Sequence, residues 1–162
     1  MNAMPEEMIK EIEQADGQDT IYLSGPIRKA TDNGKKWRES IIEDYSDEFD
    51  FINPLDEYSP ETHEILSDPI DFNPESEKEQ VLPQEYIFTD KMNIQESDYV
   101  FVGLSEVISR GTDMEILYSY TNDIPVFVWT MNGQKDSGWV RYHAEFTNSD
   151  RDAVMEEIRN YE

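Results

Sequence analysis

The run Tyr99-Val100-Phe101-Val102-Gly103-Leu104 constrains the fold more than any other stretch of this 162-residue chain. A strand with no polar alternation has no face to offer water, so both of its faces must be covered. That is the position of a central parallel strand with helices packed on each side. Thr20 to Ser24 and Ile124 to Trp129 read in the same way, and Phe49 to Asn53 gives a further strand stopped by Pro54. Helical patterns lie between them. Lys35 to Tyr45 turns Trp37, Ile41 and Ile42 inward, and Gln84 to Glu96 carries Ile87, Met92 and Ile94. Thr112 to Asn122 follows the central strand, and Asn148-Ser149-Asp150 caps a last helix from Arg151 to Asn160. Trp139 to Phe146 reads as a fifth strand after a polar turn over Met131 to Gly138. The alternation predicts an α/β fold, a single flavodoxin-like or Rossmann-like domain of about five mainly parallel strands flanked by helices. Ligands in such folds bind outside the carboxyl ends of the strands, near the point where strand order reverses.

Residues 1–18 read as an N-terminal extension, with a short amphipathic helix from Pro5 to Ala15, and residues 19–162 as the α/β domain. Residues 55–83 hold several prolines and many acids, and are expected to form a long loop with little regular structure. Such a loop is either a lid over a site or a solvated acidic excursion.

Charge narrows the function classes. Asp and Glu number 37 against 13 Lys and Arg, for a net charge of −24. Such a surface repels nucleic acids and anionic membranes, so neither is expected as a partner. High charge also accompanies disorder, but 37% hydrophobic residues and well-formed apolar runs point to a folded protein adapted to high salt, from a halophile or its virus. The chain has no cysteine, which excludes disulfides, thiolate metal sites and cysteine catalysis. No signal peptide or apolar span is visible, so a soluble, cytoplasmic protein is expected (host cytoplasm if viral).

Three segments could carry chemistry. Ser109-Arg110-Gly111-Thr112-Asp113-Met114-Glu115 follows the central strand and opens a helix. Gly111 would permit a tight turn, and the free N–H groups of the first helical turn can hold an anion. Taken alone, Glu115 is equally an acid serving the helix dipole. Tyr22-Leu23-Ser24-Gly25-Pro26-Ile27-Arg28 runs from a strand into a turn, with Arg28 placed to meet an anion. Taken alone, it is an ordinary strand exit. Asp90 sits on the helix before the central strand, and Asp98 opens that strand as a capping or structural acid.

In order and spacing, these segments resemble the nucleoside 2-deoxyribosyltransferase superfamily, which includes the deoxyribonucleoside 5′-monophosphate N-glycosidases. The resemblance runs from Ile21 to about Val128. It rests on I-Y-L-S-G-P-I at Ile21 to Ile27, N-P at Asn53-Pro54, D-x-x-x-I-x-x-S-D at Asp90 to Asp98, and S-x-G-T-x-x-E at Ser109 to Glu115. The resemblance implies Glu115 as the nucleophile, Asp90 as the acid that handles protons at the base or orients the sugar, and Tyr22, the match to the family's first-strand tyrosine, as a third catalytic residue. It implies substrate or phosphate binding by Ser24, Gly25, Arg28, Ser109, Gly111 and Thr112. Ser109 stands where transferases acting on free nucleosides carry an acid, which tilts the expected substrate toward a 5′-monophosphate. No cofactor or metal is implied, and a homodimer or higher homo-oligomer is. The chemistry agrees: one carboxylate can trap an oxocarbenium-like centre as a glycosyl ester while a second acid protonates the departing base.

Other readings stay open beside it. A phosphoribohydrolase with a P-G-G-x-G-T-x-x-E loop would share Gly111, Thr112 and Glu115, but Ser109-Arg110 replaces its leading glycines. A catalytically silent nucleotide-binding module could keep the fold without turnover. His63 and His143 could join carboxylates at a metal. Trp129, Trp139 and Tyr142 suggest core or interface packing, or a surface on which a base stacks.

Overall fold

The computed structural model describes residues 5–6, 17–68, 75–131 and 136–162, with the backbone alone for 77–82. Strands β1 (Thr20–Ser24), β2 (Asp50–Ile52), β3 (Tyr99–Leu104), β4 (Val126–Thr130) and β5 (Phe146–Asn148) form one parallel sheet in the order β2-β1-β3-β4-β5. The apolar run of β3 takes the middle position, with its four central residues fully buried.

Side-chain alternation along the strands divides the core in two. Ile21, Leu23, Phe101 and Phe127 point to one face, where Ile41 of α1 (Lys35–Tyr45) and Val154, Met155 and Ile158 of α7 (Arg151–Arg159) cover them. Tyr22, Val100, Val102, Val126 and Val128 point to the other. There they meet Ile94 of α4 (Glu77–Gln95), Ile116 of α5 (Arg110–Thr121) and Val140 of α6 (Gly138–His143). Each fully buried branched aliphatic side chain contributes roughly 1.5–3 kcal/mol. Asp98 pins the start of β3 to β1: its carboxylate accepts from the Thr20 N–H at 2.8 Å. The strand order reverses between β1 and β3, so their carboxyl ends open a crevice there.

Two regions differ from the sequence reading. Residues 55–83 are not a long irregular loop. They contain α2 (Pro54–Glu57), α3 (Pro60–Ser67) and the start of α4. The prolines that suggest breaks lie in the first turns of α2 and α3, where no N–H is needed, and the Asn53 and Ser59 side chains cap them. Helix α4 then runs through Pro83. Residues 69–74 lie outside the described residues. Likewise, Trp139 to Phe146 is not a strand. Ser137 accepts from the Val140 N–H at 3.2 Å and caps α6, which turns Val140 inward and leaves Trp139 and Tyr142 exposed. The fifth strand begins only at Phe146. His143 therefore sits on a helix rather than an edge strand, against the Trp139 ring. Trp129 packs instead with Trp37 and Phe101 in the core, so the two tryptophans do not pair. The helix expected from Pro5 to Ala15 falls almost wholly outside the described residues. Among the described residues, no helix is long and apolar enough to cross a membrane.

Candidate active site

The crevice at the strand switch holds a cavity of about 680 Å³. That volume falls in the range of small-molecule sites. Its wall includes Gly25 and Arg28 after β1, Asp90 and Lys91 of α4, and Ser109, Gly111, Thr112 and Glu115 at the start of α5. Three separate segments of sequence thus meet at one opening. Tyr22 and Ser24 lie beneath it, on the buried end of β1.

Gly25 is required by space. A Cβ there would lie 2.8 Å from the Gly103 carbonyl and 2.9 Å from the Trp37 ring. The loop that follows includes a left-handed turn in which Asp32, Asn33 and Gly34 all have positive φ. Two non-glycine residues in that region are costly unless held. The Asn33 amide holds the turn by donating to the carbonyls of Ile27 and Leu66, and Asp32 accepts from the N–H groups of Gly34 and Lys36. Arg28 donates to the Ile65 carbonyl at 2.9 Å, which ties the same loop to α3. Ile65 and Leu66 form part of the cavity wall.

Ser109 caps α5, accepting from the Thr112 N–H at 3.2 Å. Its hydroxyl proton stays available to a ligand oxygen. Helix α5 begins at Arg110, earlier than the sequence suggests, and Gly111 has ordinary helical geometry rather than a tight turn. A Cβ at Gly111 would come no closer than 3.8 Å to the Ser109 hydroxyl, so the residue keeps the cavity wall low rather than relieving strain. Glu115 follows one turn later and faces inward.

The carboxyls of Asp90 and Glu115 are electrostatically coupled across the cavity floor. Burial raises both above the ordinary carboxylate range, and the charge of Asp90 raises Glu115 further. Such a pair titrates as a unit and gives up its first proton more easily than its second. The Tyr22 phenol stands between them and lowers both, and the Ser24 hydroxyl lowers Glu115. Burial, followed by the charges of Glu115 and Asp90, holds the Tyr22 proton in place. Among the described residues, Tyr22 Oη, Ser24 Oγ, Thr112 Oγ1 and Glu115 Oε2 are sealed from solvent without a well-formed hydrogen bond. Each such atom costs about 1–3 kcal/mol while unpaired, so the cluster calls for a partner.

Two residues that the motifs do not single out complete the arrangement. The Tyr58 hydroxyl, just past α2, straddles the Asp90 carboxylate at 3.0 and 2.9 Å. Its ring stands edge-on to Tyr86 and to His63. The sequence signal was slight: Tyr58 closes the short helix that Asn53-Pro54 opens. Arg38 is fully buried on α1. It lies next to Trp37 on the inward stripe, where a cation among Trp37, Ile41 and Ile42 was the available signal. Among the described residues, no group of three His, Asp or Glu side chains is placed to hold a metal.

No protein-family profile and no curated protein matches the chain. Solved structures do. A 2-deoxyribosyltransferase from the psychrotolerant bacterium Bacillus psychrosaccharolyticus is 17% identical, with a TM-score of 0.62 over 88% of this chain and 92% of that one. BlsM is 15% identical, with a TM-score of 0.58 over 89% and 96%. The CMP N-glycosidase BcmB of Clostridium botulinum is 10% identical, with a TM-score of 0.52 over 87% and 99%. At these identities the likeness establishes the fold, the single α/β domain with its parallel sheet.

Proposed function

We propose that this chain belongs to the nucleoside 2-deoxyribosyltransferase superfamily and cleaves or transfers at the N-glycosidic bond of a 2′-deoxynucleoside or its 5′-monophosphate. The observation that carries this reading is the meeting of Asp90 and Glu115 at one cavity, with Tyr22 buried beneath it. The names of two neighbours, a 2-deoxyribosyltransferase and a CMP N-glycosidase, support the same class of bond.

In this mechanism the Glu115 carboxylate attacks C1′ and the C1′–N bond breaks, with its electron pair leaving on the base. The protonated Asp90 supplies a proton to that nitrogen. A glycosyl ester remains on Glu115. Water or an acceptor base then attacks C1′, gives its proton to the Asp90 carboxylate and releases Glu115. Raised pKa values let the pair hold one shared proton, and the reactive form is the one in which that proton sits on Asp90 and Glu115 is ionised. The N-terminus of α5, with Ser109, Thr112 and nearby Arg28, suits a 5′-phosphate.

The test is a panel of deoxy- and ribonucleosides and their 5′-monophosphates in molar salt, with and without acceptor bases, read by chromatography. Release or exchange of base from deoxy substrates is expected. Turnover confined to ribonucleotides would favour a phosphoribohydrolase, and binding of monophosphates without turnover would favour a silent nucleotide-binding module.

A further inference from the structure

Arg38 is a cation without an ion pair among the described residues. Its guanidinium is fully buried, stacks on the Trp37 ring at 4.5 Å, and donates to three main-chain carbonyls. These are Gly34 and Gly25, both at 2.9 Å, and Leu23 at 3.3 Å. Carbonyl dipoles satisfy the N–H groups but leave the charge uncompensated, and an uncompensated buried charge costs several kcal/mol. Two of those carbonyls belong to the exit of β1, the floor of the cavity. Gly25 lines the same cavity as Asp90 and Glu115, so the guanidinium lies directly behind one wall of it. Burial lowers its own pKa, and Tyr22, Glu115, Tyr58 and Asp90 act against that effect; of these, burial holds the two phenols protonated, so the carboxyls are the groups that carry charge. The countercharge of Arg38 is thus the carboxyl pair, across space rather than in a salt bridge.

We propose that Arg38 is a positioning residue for the site, acting from behind the cavity wall to keep one carboxyl of the Asp90–Glu115 pair ionised and to hold the Gly25 turn against it. The inference deepens the glycosidase reading and rests on it for its functional meaning. A second dependence supports the role: the space around Arg38 is shaped for this side chain. A Cβ at Gly34 would lie 2.4 Å from its Nη1, and one at Gly25 would lie 3.4 Å from its Nη2. Gly34 takes a positive φ there and points its carbonyl at the guanidinium.

The groups that face the carboxyl pair come from every wall. Tyr22 and Ser24 come from β1, Arg38 from α1, and Tyr58 follows α2. Lys91 of α4 and Arg28 of the β1–α1 loop also line the cavity. The causes acting on Glu115 are burial, Asp90, Tyr22, Arg38 and Ser24, so Arg38 is the cation among them. Of the two cations at the rim, Lys91 is exposed to water and screened, and Arg28 is half-buried and donates to the Ile65 carbonyl.

The direct test is a titration of the Glu115 carboxyl by carbon NMR in the full chain, wild type against Arg38→Gln and Arg38→Lys. Loss of the charge should move the Glu115 midpoint up by about one pH unit or more, and Arg38→Lys should hold it near the wild-type value. An unmoved midpoint in Arg38→Gln would overturn the proposal. If Arg38→Gln is too unstable to titrate, melting temperatures at pH values above the pair's titration supply the second readout. Glu115→Gln should then raise the melting temperature more in the Arg38→Gln background than in the wild type, and an equal or smaller rise would overturn the proposal. A third readout is the acidic limb of kcat/KM for base release. It should shift to higher pH in Arg38→Gln and stay in place in Arg38→Lys, which a purely structural arginine would not produce. Absence of base release from the wild-type protein would count against the glycosidase reading, whereas the titration and the melting comparison judge Arg38 separately.

Discussion

The Tyr58 hydroxyl straddles both carboxylate oxygens of Asp90, at 3.0 and 2.9 Å. This bond stabilises the ionised form of Asp90 and opposes the upward push of burial. Tyr58→Phe should therefore raise the Asp90 pKa and carry the alkaline limb of base release to higher pH. A hydrogen bond to a charged group is worth about 1.5–3 kcal/mol, so kcat/KM should fall on the order of tenfold to a hundredfold. A pH–rate profile of the variant checks both effects.

Stability should respond to the buried pair in a defined direction. Burial raises the carboxyls of Glu115 and Asp90 in the folded state, so the folded chain holds protons that the unfolded chain releases above about pH 4. Stability is then lost as pH rises from that value toward neutrality. Glu115→Gln removes one contributor. It should match the wild type near pH 4 and exceed it at about pH 8 by on the order of 1–3 kcal/mol, measured by denaturant unfolding.

Under the proposed function, phosphate recognition falls to Arg28 and Ser109. Arg28→Ala should raise KM for a 5′-monophosphate by about tenfold to a hundredfold while changing KM for the free nucleoside little. Because Arg28 also donates to the Ile65 carbonyl, Arg28→Lys is the control. It should recover part of the monophosphate preference if charge at the rim is what the substrate meets.

We read the net charge of −24 as an adaptation to high salt. The ion pairs Arg159–Glu48 and Arg151–Asp44 are at the surface and worth little each, and 13 cations cannot neutralise 37 acids. Repulsion should dominate in dilute buffer. At molar salt the screening length falls to about 3 Å, so the melting temperature should rise steadily with potassium chloride. Full stability in dilute buffer with no gain from salt would refute this.

Much of the sheet was legible because burial on two faces leaves a plain mark. Tyr99 to Leu104 has no polar alternation, and it is the central strand. Lys35 to Tyr45 keeps its apolar stripe and is helical over that whole range. The prolines misled where they start helices: Pro54 and Pro60 look like breakers until their caps, Asn53 and Ser59, are seen beside them. Trp139 to Phe146 misled because aromatic residues favour strands by packing, and here Trp139 and Tyr142 stay exposed while Val140 packs inward. The site divides in the same way. Tyr22, Asp90 and Glu115 stand in short motifs and converge. Tyr58 and Arg38 act through contacts made across long gaps in sequence, which spacing along the chain does not encode.

The central claim concerns Glu115 as nucleophile. Its most direct test is base release from deoxynucleoside 5′-monophosphates in molar salt, read by chromatography for the wild type and Glu115→Ala. Release by the wild type and a loss of more than about a thousandfold in the variant are predicted. Equal release by the two proteins would contradict it.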